Sequence, residues 1–187
     1  MEIILFVMEA TAVILVADFV SGLVHWAEDT FWTEETPVLG SWIVKPNELH
    51  HCDGSAFTRN NWLESSWDLL LAGILVIGSA AALNLLSWQV WLFVMLSVNA
   101  NQIHKWSHSS QAKVPFLVRL LQHSHLLQGA KHHGAHHRGG KNVAYCVLTE
   151  ALNPLLDGIG LWRALDHLVR LTCAAPRRTD RGVKASL

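Results

Sequence analysis

Residues 131–137 read Lys-His-His-Gly-Ala-His-His, an HHxxHH run in a chain of 187 residues that holds twelve histidines, as many as it has glycines. Neutral imidazole binds iron, zinc and copper well, so a run this dense raises metal binding first. On a helix His133, His136 and His137 stand at i, i+3 and i+4 and send three rings toward one point. His104 and His108, four residues apart, share a helix face in the same way, with Asn101 three residues earlier on that side. His50 and His51 are adjacent and cannot both face one way on a helix, so they suit a turn or two different ions. His25 closes the ring from the end of the first apolar stretch. The candidate ligands are therefore His25, His50, His51, His104, His108, His133, His136 and His137. A structural zinc site takes about four protein ligands and a catalytic one about three, so eight imidazoles argue for two metals.

Plainer readings apply to the other histidines. His167 reads as a surface residue, and His132 as solvated, because its neighbour already completes the HxxHH triad. His125 is either a ninth ligand or a surface group on the same helix as His123. A histidine-rich run can be a tract of low metal specificity, but that suits a lone loop and not clusters drawn from distant segments. Few carboxylates accompany the histidines, so the carboxylate-rich di-iron pattern of soluble bundles does not apply. Asp29, four residues after His25, is the best acceptor for a ligand's free ring nitrogen.

Outward from these clusters the chain reads as an all-α integral membrane bundle. Ile3–Trp26 is mostly apolar and spans ~36 Å as a helix, enough to cross a hydrocarbon core of ~30 Å. It lacks a basic leader and a small-residue cleavage site, so it reads as a retained helix and not a signal peptide. Asp18 shares a face with Gly22 and His25; it either orients a ligand or is a satisfied polar group in the bundle. Residues 28–66 are polar and Trp-rich, broken by Pro37, Gly40 and Pro46, and read as short interfacial helices. Trp67–Leu86 and Trp88–Ile103 are the second and third spans, joined by a tight hairpin at Asn84–Ser87. The third continues as a helix through His108.

After Pro115, the residues Phe116, Leu117, Leu120, Leu121, Ser124 and Leu127 form a stripe, as in a helix lying on a membrane surface. Val143–Thr172 reads as a membrane-embedded or an interfacial hairpin, broken at Asn153–Pro154 and Gly158. Residues 1–175 form one domain, and residues 176–187 a basic, disordered tail.

Charge sets the topology. All fourteen Lys and Arg lie in the 27–66 loop or after residue 104, and none near the N-terminus or the Asn84–Ser87 hairpin. By the positive-inside rule that side is cytoplasmic, and it holds every histidine and the C-terminus, with the N-terminus opposite. A formal net charge of −1 argues against a nucleic-acid binder, which usually shows a basic stripe. Cys52, Cys146 and Cys173 are too few and too scattered for a disulfide framework and read as reduced thiols. Short loops and the lack of a targeting extension point to a bacterial inner membrane.

Several of these pieces together resemble the Kua, or plasmanylethanolamine desaturase, family of lipid desaturases, and more remotely the plant phosphatidylglycerol palmitate desaturases. They are Asp18-Phe19 through Ser21-Gly22 to His25-Trp26 with Asp29-Thr30; His50-His51 with Asp53 and Thr58-Arg59; NQIHKWSH at 101–108; KHHxxHH at 131–137; and Leu152-Asn153 with Gly160 and Trp162-Arg163. The likeness covers residues 15–170. Gly54 stands where the family usually has proline, and His123 where it often has an acid.

The resemblance implies that the eight histidines bind two irons; Asp18, Asp29, Asn101, His125, His132 and Asn153 are candidate supporting groups or extra ligands. It implies an O2-dependent dehydrogenation of a phospholipid alkyl chain, most directly plasmanylethanolamine to a vinyl-ether plasmalogen. Removing hydrogens from an unactivated CH2–CH2 unit needs a stronger oxidant than side chains supply. The chain has neither C-x-x-C-H nor G-x-G-x-x-G, so an external electron donor, a cytochrome b5-like protein or a ferredoxin, is implied. An ester-linked acyl desaturase, a hydroxylase and a non-redox zinc-binding membrane protein are the competing readings.

Overall fold

The computed structural model describes residues 1–138 and 142–173, and every regular element among them is helical. Gly139, Gly140 and the basic tail from residue 176 lie outside the described residues. Helix α1, Glu2–Thr30, is 29 residues long, about 43 Å at 1.5 Å per residue. A π-helical turn at Gly40–Val44 leads into α2 (Lys45–Cys52) and α3 (Gly54–Arg59). These are the short helices expected of the Trp-rich loop. Helix α4, Trp62–Ala82, opens on a capping box in which Asn61 and Glu64 satisfy each other's backbone N–H groups. It ends at Ala82, and just beyond, Asn84 with a left-handed φ of 57° turns the chain back, as the hairpin reading required.

The third apolar stretch is divided. Helix α5 covers Trp88–Val98, Asn99 interrupts, and α6 (Ala100–His108) carries the histidine pair. Beyond it come α7 (Phe116–His123), α8 (Ala130–Arg138), α9 (Asn153–Gly158) and α10 (Leu161–Cys173). Helices α1, α4 and α5 pack side by side. The approach of α4 to α5 needs Gly73, where a Cβ would lie 2.8 Å from Val94 and 2.9 Å from Val98.

Polarity is inverted relative to a water-soluble domain. The interior holds Asp18, His25, Asp29, His104, His133, His136 and Asn153, while α1 leaves Ile3 to Met8 at 51–79% exposure. Keeping six such side chains in water forfeits on the order of 5–10 kcal/mol. That rivals the entire net stability of an ordinary domain, roughly 5–15 kcal/mol. Helices α1 and α4 are long and apolar enough to cross a membrane.

Residues 142–152, ahead of α9, run through the core without regular structure. Ala144 to Thr149 are all at or below 7% exposure, so their backbone groups need partners from elsewhere. Side chains supply them. Asp18 accepts from the N–H of Leu148 and Thr149 and from the Thr149 hydroxyl. Ser21 accepts from Val147, Asn153 from Cys146, and Asp157 from Ala144. Gln128 donates from its side chain to the Cys146 carbonyl and from its backbone to that of Leu148. Gly22 lets α1 approach this segment, since a Cβ there would lie 2.7 Å from Cys146 Sγ. The segment feeds both apolar clusters, one with Ala17, Ala100 and Ile103, the other with Trp26, Leu156 and Trp162.

Candidate metal centre

All eight histidines singled out in the sequence converge where α1, α2, α6 and α8 meet. They divide into two groups, within each of which the ligand atoms lie within 4.8 Å of one another. The first group is His50, His104, His108, His133 and His137; the second is His25, His51 and His136 with Asp29. Adjacent residues on a helix point about 100° apart, and α2 uses that angle to place His50 in one group and His51 in the other. Of the two alternatives for this pair, two different ions is the one the geometry matches. On α8 the reading needs correction. His133 and His137, at i and i+4, serve the first group, but His136 turns to the second, so the HxxHH triad is shared and not aimed at one point.

The first group cannot be satisfied by hydrogen bonds alone. His133 Nε2 lies 2.9 Å from the Nε2 atoms of His104, His108 and His137, and His108 and His104 are 3.2 Å apart. Each ring nitrogen offers one proton or one lone pair, so one atom cannot serve three such neighbours. Nitrogens about 2.0–2.1 Å from a cation and at right angles would be about 3 Å apart, which is the spacing seen. Burial, then neighbouring imidazoles, push His137 down to about 3. His50 and His133 are held well below the usual range by the same causes. These rings are neutral near pH 7, the state that donates a lone pair to metal.

The second group has its protons fixed from behind. His25 Nδ1–H donates to the Tyr145 carbonyl at 3.1 Å, and His136 Nδ1–H to the Val143 carbonyl at 2.8 Å. A carbonyl only accepts, so each ring keeps its proton on Nδ1 and turns the Nε2 lone pair inward. The Nε2 of His136 then faces Asp29 Oδ2 at 3.1 Å and that of His25 faces it at 3.6 Å, acceptor against acceptor. All three atoms are buried without a hydrogen-bond partner. A cation resolves this arrangement, and the donors fit an imidazole-rich transition-metal site. Asp29 also meets His51 Nε2 and Asn47 Nδ2 through Oδ1, at 3.0 and 2.7 Å. It lies within the second group itself, which matches the extra-ligand alternative of the two left open for it.

The other candidates lie apart from the two groups. Asp18 anchors the irregular segment, the second of the alternatives left open for it. Asn101 donates to the Ser65 carbonyl and ties α6 to α4. His132 faces Asn153 Nδ2 at 3.0 Å, and the exposed His125 pairs with Glu150. Asn153 braces Cys146. The two carbonyls that fix His25 and His136 had no signal in the sequence beyond buried polar residues that needed something to hold.

Two openings reach the histidines from different sides. A cavity of about 160 Å³ runs along α1 past Ala17, Val20, Val24, His25 and Glu28, and touches His50 and His104. Leu69, Ala100 and Val147 line it as well, with Trp42, Glu64 and Asp68 nearer the polar loops. A second, more open recess of about 250 Å³ is lined by His50, His51, His108, His133, His137 and Arg138, with Gly54 and Gly134 between them.

Fold and site together define an all-helical protein with two long apolar helices and a buried polyhistidine centre suited to two metal ions. Comparison places it among known sequences: the model of the lipid desaturase domain matches residues 14–180, and the chain belongs to that family. It is 36% identical over 179 residues to plasmanylethanolamine desaturase 1 of Mus musculus, covering 89% of this chain and 66% of that one. It is 35% identical to plasmanylethanolamine desaturase of Myxococcus xanthus, over 92% of this chain and 63% of the other. Chloroplastic fatty acid desaturase 4 of Arabidopsis thaliana is 32% identical, over 81% and 48%. The chain thus spans slightly under two thirds of the first two relatives. No solved structure matches it. The family resemblance drawn from the histidine boxes is borne out.

Proposed function

We propose that this chain is a di-iron lipid desaturase that dehydrogenates a phospholipid alkyl chain, with plasmanylethanolamine as substrate and a vinyl-ether plasmalogen as product. The observation that carries the reading is the contact between an apolar cavity and ligands of both groups, His25 on one side and His50 and His104 on the other. Each turnover consumes the lipid, O2, two electrons and two protons, and releases the alkene and two waters. Iron held by the eight histidines and Asp29 would supply the O2 activation that side chains lack.

The chain's own residues do the positioning. Ala17, Val20, Val24 and Leu69 give an apolar chain a dry path, which excludes water from the reacting carbons. The Tyr145 and Val143 carbonyls hold His25 and His136 in the ligating tautomer. Three spans (α1, α4, and α5 continued by α6) set the centre at the cytoplasmic face, with the N-terminus opposite, in a bacterial inner membrane. A cytochrome b5-like or ferredoxin-like carrier delivers the electrons.

The relatives named fatty acid desaturase favour a second reading, an ester-linked acyl chain as substrate. Lipid mass spectrometry of cells with and without the gene, grown in air, separates the two. Loss of two hydrogens from the ether-linked chain is expected; loss from an acyl chain supports the alternative. A gain of oxygen, or no gene-dependent lipid change, overturns desaturation.

A further inference from the structure

The cavity and the recess divide seven of the eight histidines between them, and His136 borders neither. His25 and His104 border only the cavity; His51, His108, His133 and His137 border only the recess; His50 touches both. The linings differ in character. Among the recess residues Ala130 is the one apolar side chain, so a lipid tail gains less by entering it than by entering the cavity. The cavity, by contrast, is mostly apolar and has no Lys or Arg in its lining.

Charge marks the recess further. Helix α8, which forms one wall, carries Lys131 and Arg138 and no acidic residue. Their seven-residue spacing puts both on one helix face, and both are exposed. Two small residues keep the floor accessible. A Cβ on Gly54 would sit 2.8 Å from the His108 ring, and one on Gly134 would sit 3.0 Å from the Arg138 guanidinium.

We propose that this recess is the electron port: a small one-electron carrier protein with an acidic face docks over Lys131 and Arg138 and reduces the centre through the His108 and His137 rings, while the lipid reaches it through the cavity. The proposal rests on the redox function above. It separates the two traffic routes, so a carrier can be exchanged without disturbing a bound chain. Paired rim charges of this kind set association rate and salt dependence more than they set affinity.

The test is stopped-flow reduction of the iron-loaded protein in detergent by an acidic [2Fe–2S] ferredoxin and by the soluble haem domain of a cytochrome b5, followed by the absorption of the metal centre. Lys131→Glu with Arg138→Glu is expected to slow reduction by the better carrier about tenfold or more at low salt. Lys131→Gln with Arg138→Gln should slow it less. The control Arg163→Glu with Arg170→Glu, the same charge change on α10, should leave it unchanged. Dithionite, which needs no docking, should reduce all of them alike, and iron content should be equal. Unchanged carrier rates in the port variants, or equal slowing in the α10 variant, overturn the proposal. Failure of dithionite to alter the metal absorption would instead overturn the redox function.

Discussion

At the scale of single residues, Asp29 separates this centre from an all-histidine one. Its Oδ2 faces two imidazole lone pairs, and its Oδ1 is taken by His51 and Asn47. Asp29→Asn keeps the shape and removes the charge, so it should leave the first group filled and empty the second. Metal analysis is expected to fall from about two ions per chain to about one, with activity lower by at least the roughly 10–100-fold seen when metal-supporting groups are lost. His136→Ala should give the same stoichiometry, and His104→Ala should empty the first group instead, both with activity abolished and membrane insertion intact. Wild-type activity in either histidine variant would remove it from the site. His125→Ala is the contrast: its ring pairs with Glu150 away from both groups, so two ions should remain.

At the scale of elements, the irregular segment from Val143 to Thr149 does what a helix cannot. A helix spends its carbonyls on itself, whereas this irregular run has carbonyls to spare, and those of Val143 and Tyr145 reach His136 and His25. Its own N–H groups are held by Asp18, Ser21, Asn153 and Asp157. Asp18→Ala strands two buried N–H groups and a hydroxyl at about 1–3 kcal/mol each. The midpoint of thermal unfolding in detergent should therefore drop sharply, and metal content should fall although no proposed ligand has changed. An unaltered midpoint would mean that Asp18 is not the anchor. This segment was the least legible part of the chain. Helical periodicity and box spacing revealed α1, α4, α6, α8 and the eight histidines, because i, i+4 repeats carry their geometry in the sequence. A buried loop has no period, and its partners sit up to 131 residues away. The sharing of α8 between two groups was hidden for a related reason: spacing fixes which rings lie near one face, but the opposing helices decide which ion each ring meets.

At the scale of the whole molecule, the cysteines report topology without any engineering. Cys52 and Cys173 are exposed and Cys146 is buried. If the centre and the C-terminal helices share the cytoplasmic face, a membrane-impermeant thiol reagent should label neither in intact spheroplasts and both in inside-out vesicles. Labelling of the two from opposite sides would overturn the three-span arrangement. The exposed apolar residues of α7, α9 and α10, such as Phe116, Leu155 and Leu171, give these helices a face that suits the bilayer surface beside the spans. Helix α2 has a further consequence for the assembled molecule. Its neighbouring residues His50 and His51 sit one peptide unit apart and belong to different groups. The helix is therefore a yoke: any rotation or slide of α2 moves a donor of both groups in the same stroke. Filling either group would brace the donor that α2 offers the other, so losing one ion should loosen, without emptying, the site of its neighbour.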